Sequence, residues 1–253
     1  MYTYKKMNYL EQPNLPLGPI KYLLADYRIT QQAILELRRL GIKLINTMPV
    51  PILQKAVSGH PDMALHHLGR QYFCCPPQTA AYYQSVLPDA EIIVGNSELD
   101  RNYPADIAYN VGRVGNNAFH NFIYTDRKIY EYYEKIGVNL IHVNQGYSKC
   151  SICIVTSNAI ITEDIKIAIQ ADLHGIDVLY LKNKSIYLKG MSCGFIGGAA
   201  GLFDQHTLLL NGSIARHPDC DKIVGFCQKY NVEIHSLHSG RIEDIGSLIP
   251  LSE

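Results

Sequence analysis

The feature that most constrains the fold of this chain is a plan that occurs five times along it. Each unit opens with apolar, strand-like runs, continues with a capped amphipathic helix and closes with a hydrophobic run that follows a turn residue. The closing runs cover residues 40–47, 87–94, 136–143, 174–181 and 230–237. Because their spacing is unequal, a solenoid of identical repeats is excluded. The pattern predicts five similar but distinct α/β units.

Cap and turn residues mark the ends of the five predicted helices. Starts are indicated at Thr30 and at residues 125–126, 162–164 and 217–219, where Thr or Asp can accept hydrogen bonds from free backbone N–H groups. The start of the second helix is indicated by two prolines, at residues 76–77. The ends are indicated by residues that can adopt the left-handed conformation, namely Gly41, Asp89, Gly137, Gly175 and Asn231. The sequence therefore gives each helix defined limits.

The two ends of the chain indicate how the units are joined. Opening strands are predicted at 21–25, 63–68 with 72–73, 118–122, 151–155 with 159–161, and 198–203 with 207–210. Residues 242–251 have the same character, but no helix follows them, and the N-terminal unit has only a short opening of its own. We expect the last run to pair with the first unit and to close a ring.

A closed ring of five such units resembles the pentein fold, an α/β fold also called the five-bladed α/β-propeller, with pseudo-fivefold repeats around a central channel. Arginine deiminases, dimethylargininases, amidinotransferases and the ribosome anti-association factor share it. The resemblance runs from about Leu17 to Leu251. More closely, residues 145–151 (QGYSKCS), 194–198 (GFIGG) and 244–250 (DIGSLIP) are similar to an uncharacterised bacterial family of this guanidino-group-modifying fold.

Composition is consistent with one enzyme-sized domain over residues 1–253. The chain is 47% hydrophobic and has no linker-like or low-complexity segment. Its 23 basic and 23 acidic residues produce no net field that would attract nucleic acid or an acidic membrane. No apolar run has the length of a membrane span and no secretion signal is recognisable. We expect a cytoplasmic protein whose seven cysteines are reduced.

Candidate site residues follow from the geometry of the ring. The starts of the inner strands are expected to converge on one mouth of the channel. Five segments precede these strands: residues 60–62, Asn110 with 116–117, residues 149–151, residues 193–195, and Asp244 with Ser247.

The resemblance implies a mechanism that this chain cannot use unchanged. Catalytic members of the superfamily use a cysteine near the C-terminus, a histidine at the start of a preceding unit, and carboxylates that bind the guanidinium. Here no cysteine follows Cys227, and Ser247 lies in the region where the nucleophile is expected. Glycines in 194–198 lie where the histidine is expected. Any catalytic site must therefore be rearranged.

Asp62 and Cys150 each have a functional and a structural interpretation. Asp62 resembles the strand-opening aspartate that binds the cation in the deiminases, and a carboxylate there can contact a guanidinium bidentately. Alternatively, Asp62 caps a turn after Pro61. Cys150 corresponds by the pseudo-fivefold relation to the nucleophile position of another unit, and Lys149 would lower the pKa of its thiol. Alternatively, Cys150 is a small buried apolar residue beside a surface lysine, as expected for Cys153.

Four further patterns bear on function. His60 is the histidine best placed to act as a base, although it can instead hydrogen-bond its own turn. A second His-Pro-Asp, at 217–219, is expected only to start the fifth helix, with Pro218 near its first position. His60, His66, His67, Cys74 and Cys75 lack metal-site spacing, so no metal is assigned. The glycine-rich run 194–201 departs from nucleotide-binding motifs, and its glycines are expected to let strands approach near the axis.

The sequence leaves two functions open. The first is a hydrolase or transferase that acts on a C–N bond of a small amidino or guanidino compound, with catalytic residues Cys150, His60 and Asp62 and no cofactor. Substrate contacts are assigned to Asn110, Lys149, Ser151, Cys193, Asp244 and Ser247. The second is a non-catalytic pentein that binds a small ligand at the channel mouth, or a protein or ribosomal partner on the ring face. An exposed Cys150 beside His60 and Asp62 favours the enzyme, and burial of Cys150 in apolar packing favours the binder.

Overall fold

A computed structural model describes residues 7–253, so the first six residues of the predicted domain lie outside the described part. The strands are β1 Tyr22–Ala25, β2 Lys43–Asn46, β3 His66–Gly69, β4 Tyr72–Cys75, β5 Glu91–Val94, β6 Gly112–Val114, β7 Asn117–His120, β8 Asn139–His142, β9 Cys153–Thr156, β10 Ala159–Thr162, β11 Asp177–Tyr180, β12 Ala200–Asp204, β13 Thr207–Leu210, β14 Glu233–Ser236 and β15 Ile249–Ser252. The α-helices are α1 Gln31–Arg39, α2 Pro61–Ala64, α3 Ala80–Val86, α4 Arg127–Lys135, α5 Ser148–Ser151, α6 Ile165–Leu173 and α7 Cys220–Lys229.

The strands form five three-stranded sheets with one topology. The sheets have the orders β15-β1-β2, β3-β4-β5, β6-β7-β8, β9-β10-β11 and β12-β13-β14. In each sheet the first strand is antiparallel to the middle strand, and the middle strand is parallel to the third. The helices α1, α3, α4, α6 and α7 connect the parallel pairs. The predicted ring of five units is confirmed, and its closure by the C-terminal strand is confirmed by the pairing of Leu24 with Ile249.

Local sequence sets the helix limits largely as predicted. Thr30, Asp126 and Asp164 cap α1, α4 and α6 by accepting backbone N–H groups of the first turn, each worth about 1 kcal/mol. Gly41, Gly137, Gly175 and Asn231 take positive φ angles after their helices. The prediction for Asp89 is wrong, because α3 already ends at Val86. Leu87 precedes Pro88, and a residue before proline is disfavoured in the helical conformation.

The opening strands are shorter than predicted, and this difference creates the site. Residues 61–64 and 148–151, expected to lead directly into strands, form the one-turn helices α2 and α5. Pro61 occupies the first position of α2, where its fixed φ suits a helix. In the tail, only Ile249–Ser252 is a strand, because Gly246 and Ser247 have φ angles of +72° and +78° and turn the chain.

Glycines allow the segments near the axis to lie in contact, as the sequence predicted. A Cβ atom at Gly198 would overlap the carboxylate of Asp244, and one at Gly201 would overlap the carbonyl of Leu248. The segment that begins with the 3₁₀ helix Ile196–Ala199 can therefore pack directly on the C-terminal tail. None of the helices within residues 7–253 has the length and apolar character to cross a membrane.

Candidate active site

The segments that precede the inner strands meet at one end of the ring. Hydrogen bonds join side chains from four of them, and each of these side chains is buried. Asp62 comes from α2, Asn110 precedes β6, Lys149 and Cys150 lie in α5, and Ser247 precedes β15. We call these residues, with the adjacent His60 and Asp244, the polar cluster.

Cys150 is held by two polar partners. Its Sγ donates to Asp62 Oδ2 at 3.0 Å and accepts from Asn110 Nδ2 at 3.3 Å. Asn110 Oδ1 accepts the backbone N–H groups of Lys149 at 2.8 Å and of Cys150 at 3.3 Å. Asn110 therefore fixes the first turn of α5 and the sulfur together. Cys150 is only 4% exposed, yet its surroundings are polar, so neither the exposed nor the apolar alternative describes it.

Lys149 and Ser247 extend the same network. Lys149 Nζ donates to Ser247 Oγ at 3.0 Å, and Ser247 Oγ lies 2.8 Å from Asp62 Oδ2 and 3.0 Å from the carbonyl oxygen of Gly197. Lys149 is 7% exposed, so it is not the surface lysine of the structural interpretation. Its ammonium is directed to Ser247 rather than to the sulfur of Cys150.

His60 and Asp244 form the other side of the cluster. Backbone N–H groups of Phe195 and Gly246 each donate to the Asp244 carboxylate at 2.9 Å. His60 Nδ1 lies 3.8 Å from Asp244 Oδ1 and has no hydrogen-bond partner. Asp62 Oδ1 is likewise buried without a partner. Two polar atoms in the cluster are thus unsatisfied, which is costly unless a ligand or water engages them.

Burial dominates the electrostatics of the cluster. It raises the pKa of the Cys150 thiol well above its usual value, and the charges of Asp62 and Asp244 raise it further. Burial lowers the pKa of Lys149 against the opposing effect of Asp62. Burial also raises the pKa of Asp244. The pKa of the thiol is therefore raised, not lowered as expected from Lys149, and burial with the two carboxylates favours the protonated sulfur.

Two cavities approach the cluster from different directions. A cavity of about 260 Å³ is lined by His60 and Asp244, together with Arg28, Asn211 and Glu243. A cavity of about 10 Å³, room for one water molecule, is lined by Asp62 and Lys149. Cys150 lines neither cavity. The larger cavity therefore leads to His60 and Asp244 before it leads to the sulfur.

Two of the predicted contact residues lie at the margin of this arrangement. Ser151 is buried and its hydroxyl has no partner. Cys193 is partly exposed, and its sulfur accepts a long hydrogen bond from the hydroxyl of Ser192, at 4.0 Å. The next residue, Gly194, packs against Asp244.

Sequence reasoning missed Glu163. Its carboxylate accepts the N–H of Ile196 at 3.1 Å, and one oxygen has no partner. Burial raises the pKa of Glu163 to about 7, with a smaller contribution from Asp244. Glu163 was interpreted only as part of a helix start. One signal in the sequence could have identified Glu163. It lies between Thr162 and the N-cap Asp164, and capping the helix requires only one acidic residue.

The donor set of the cluster does not favour a metal ion. His60, Asp62 and Cys150 each have a potential ligand atom, and the three atoms lie within 4.8 Å of one another. The amide N–H of Asn110 is directed at the same sulfur, however, and the amino group of Lys149 is hydrogen-bonded to Ser247, which in turn bonds Asp62. A cation at that point would face these donors, so we do not assign the three residues as metal ligands.

Solved structures of the same architecture are guanidino-modifying enzymes. The inosamine-phosphate amidinotransferase of Streptomyces griseus is 10% identical, with a TM-score of 0.57 and coverage of 97% of both chains. The amidinotransferase of the saxitoxin pathway from Microseira wollei is 10% identical, with a TM-score of 0.54 and coverage of 95% of this chain and 92% of that chain. The dimethylarginine dimethylaminohydrolase DDAH of Pseudomonas aeruginosa, in complex with citrulline, is 9% identical, with a TM-score of 0.56 and coverage of 91% and 96%.

The chain therefore has the pentein fold, the class that its five units resemble. Within that class it belongs to the family of unknown function DUF6873, which it matches over residues 24–249. No curated protein sequence matches it. At about 10% identity the solved structures establish the fold, and the chemistry must be argued from the polar cluster itself.

Proposed function

We propose that the protein modifies a small cationic amidino or guanidino compound at a C–N bond, with Cys150 as the nucleophile. One observation carries the proposal: the Cys150 thiol donates to Asp62 in a buried cluster that also contains His60 and Asp244. A nucleophile, a titratable ring and two carboxylates at such short range are the groups that amidine chemistry requires. The fold of the neighbouring enzymes supports the same conclusion.

Each polar group has a role in the proposed reaction. Asp62, with its unpartnered Oδ1, and Asp244 hold the amidinium by charge-assisted hydrogen bonds. The sulfur of Cys150 bonds to the central carbon, and the leaving nitrogen departs with a proton from His60, whose Nδ1 is free. Water then attacks the amidino thioether in a hydrolase, or an acceptor amine attacks it in a transferase. The C–S bond breaks and the thiol is restored.

The electrostatics favour a cation as the ligand that activates the thiol. Asp62 and Asp244 both raise the pKa of Cys150. A bound amidinium offsets their charge and therefore lowers the pKa of the thiol when substrate is present. A cation enters through the larger cavity and meets Asp244 first. Contact with the sulfur requires a side chain to move, because Cys150 lines neither of these two cavities.

The same burial supports a second candidate function. Because Cys150 is a neutral thiol away from both cavities, the cluster can also serve a protein that binds a small cation at His60 and Asp244 without reacting with it. We propose a cytoplasmic location in either case. All seven cysteines are free, which suits a reducing compartment.

Alkylation tests the proposal without a known substrate. Chloroacetamidine is a small amidinium with an alkylating carbon, and chloroacetamide is its neutral counterpart. Labelling of each cysteine is followed by peptide mass spectrometry, with rates divided by those of free cysteine. We expect the cationic reagent to label Cys150 at least tenfold faster than the neutral reagent does, as for a hydrogen bond between charged groups worth about 1.5 kcal/mol or more.

The partly exposed Cys193 serves as the internal reference. It should show no preference between the two reagents. Asp244→Asn should reduce the preference at Cys150 and leave Cys193 unchanged. Labelling of Cys193 alone, with Cys150 unmodified by the cationic reagent, would contradict the proposal and favour the binding function.

A further inference from the structure

A continuous set of hydrogen bonds connects the Cys150 thiol with the Lys149 side chain. Cys150 Sγ donates to Asp62 Oδ2 at 3.0 Å, Ser247 Oγ lies 2.8 Å from the same oxygen, and Lys149 Nζ lies 3.0 Å from Ser247 Oγ. All four side chains are buried. Lys149 and Cys150 are sequence neighbours, yet their reactive atoms are connected through residues 62 and 247.

We infer that Lys149 is the group that takes the proton of the Cys150 thiol, through Asp62 and Ser247. This inference rests on the proposed function of Cys150 and assigns a residue that the amidine chemistry otherwise leaves without a role. His60 is then reserved for the leaving nitrogen, since the residue lines the larger cavity and its Nδ1 has no hydrogen-bond partner.

The proton balance of the step is simple. The thiol proton moves to Asp62 Oδ2, a proton moves from Asp62 to Ser247 Oγ, and the hydroxyl proton of Ser247 moves to the neutral amine of Lys149. Asp62 and Ser247 end as they began. The net result is a Cys150 thiolate and a Lys149 ammonium, and the sulfur electron pair is free to bond to carbon. No oxidant, metal or further reactant is required.

The surroundings of Lys149 suit a proton acceptor. Within residues 7–253, no carboxylate lies within the 4.0 Å of an ion pair with its Nζ, and the hydroxyl of Ser247 is its hydrogen-bond partner. An ammonium buried without a paired charge is costly, so burial lowers the pKa of Lys149. The titratable groups around it are Asp62 of α2, His66 and His67 of β3, Tyr109 before β6, Cys150 of α5, Cys153 of β9 and Asp244 of the C-terminal tail.

Ser247 is held in place at a conformational cost. It is a non-glycine residue with a φ of +78°, which is uncommon and costs about 1–3 kcal/mol. The preceding Gly246 packs against His60, and the Ser247 N–H donates to the Gly198 carbonyl at 2.7 Å. This corner directs the hydroxyl between Asp62 and Lys149.

Alkylation rates as a function of pH test the inference in the full-length protein, with both chloroacetamidine and chloroacetamide. Four variants form two matched pairs. Lys149→Arg keeps a positive charge but cannot accept a proton, whereas Lys149→Met removes both properties. Ser247→Ala removes the hydroxyl, whereas Ser247→Gly also relieves the positive φ and therefore folds at least as readily. Circular dichroism and the Cys193 labelling rate verify the fold of each variant.

In the native protein, we expect the Cys150 rate to rise with pH as Lys149 loses its proton. All four variants should label Cys150 about 100-fold more slowly, the usual loss when acid–base assistance is removed, and the rise should move to higher pH in both lysine variants. Native rates in Lys149→Arg would show that only charge matters and would overturn the inference. Native rates in either serine variant would also overturn it.

The neutral reagent separates this inference from the proposed function. If Cys150 shows no preference for the amidinium but still depends on Lys149 and Ser247 when chloroacetamide is used, the proton path stands and the cationic substrate is wrong. If neither reagent labels Cys150 in the native protein, both are wrong.

Discussion

Two copies of the tripeptide His-Pro-Asp, at residues 60–62 and 217–219, have the same local sequence and different surroundings. The first copy begins the one-turn helix α2, which includes Pro61 and Asp62, and the second directly precedes the longer helix α7. In the first copy, Asp62 accepts from Cys150 and Ser247 in the interior. In the second, Asp219 accepts from Lys222 at 2.6 Å and from Asn183 at 2.7 Å.

The histidines differ in the same way. His217 Nδ1 accepts the N–H of Asp219 at 3.0 Å and closes its own turn. This nitrogen is therefore unprotonated and already has a hydrogen-bond partner. His60 lines a cavity, and its buried Nδ1 has no hydrogen-bond partner. The comparison shows that the tripeptide provides only a turn and a helix start. The position of the tripeptide among the five units decides whether its aspartate and its histidine are structural or available for chemistry.

The largest expected difference between the two regions concerns glycine substitutions. Gly246→Ala places a Cβ against His60 at a positive φ and should destabilise the protein by roughly 2–5 kcal/mol, the sum of overpacking and backbone strain. Gly225→Ala lies within α7 with nothing within 4 Å and should stabilise it by about 0.5–1 kcal/mol. Urea unfolding measures both. Equal effects of the two substitutions would contradict the close packing at His60.

The stability of the protein should depend on pH through the buried carboxyl group of Glu163. The pKa of Glu163 is raised from 4.5 to about 7 in the folded protein, so the folded state binds this proton more tightly than the unfolded chain does. Stability from this group is therefore fully present below pH 4.5 and is lost as pH rises through 7. The free energy of unfolding relative to Glu163→Gln should fall by up to about 3 kcal/mol over that range. A constant difference between the two proteins would contradict the burial of Glu163.

Asparagine at the two aspartates sharpens the comparison further. Asp62→Asn removes a carboxylate beside the sulfur and should lower the preference of Cys150 for chloroacetamidine over chloroacetamide roughly 10- to 100-fold. Asp219→Asn breaks the contact with Lys222 and should leave that preference unchanged. The ratio of the two labelling rates at Cys150 is the measurement. A matching loss of preference in both variants would indicate a general change in the fold.

The repeat plan was predictable from the sequence because it depends on local signals. Thr30 and Asp164 cap helices in any context, and glycines such as Gly41 end them. The hydrophobic run at 249–251 likewise had the character of a strand without a helix to follow it.

The contacts within the cluster were not predictable in the same way. That Asp62, Asn110 and Cys150 lie together follows from the ring, whereas their hydrogen bonds depend on the one-turn helices α2 and α5. The burial of Cys150 and the charges of Asp62 and Asp244 raise the pKa of the thiol, although the neighbouring lysine predicted the opposite. Glu163 was missed because its neighbours explained it locally. The pKa of a side chain depends on its exposure to solvent, and that exposure depends on how all five units pack together.

The smallest expected effect concerns the second histidine. His217→Ala removes the acceptor of the Asp219 N–H and should cost about 1 kcal/mol of stability, the usual value of one hydrogen bond. Cys150 labelling should be unaffected. His60→Ala is the matched variant, and it should impair turnover while the pH profile of Cys150 alkylation is kept. A change in Cys150 alkylation in the His217 variant would contradict the separation of the two regions.

A covalent intermediate on Cys150 is the most direct test of the central claim. Small guanidino and amidino compounds are mixed with the protein, the reaction is stopped by acid within its first turnover, and the protein is weighed and mapped by mass spectrometry. The account predicts an added amidino group on Cys150, absent in Cys150→Ser. Binding of the same compounds by equilibrium dialysis, with no adduct on Cys150 and no release of ammonia or amine, would contradict it.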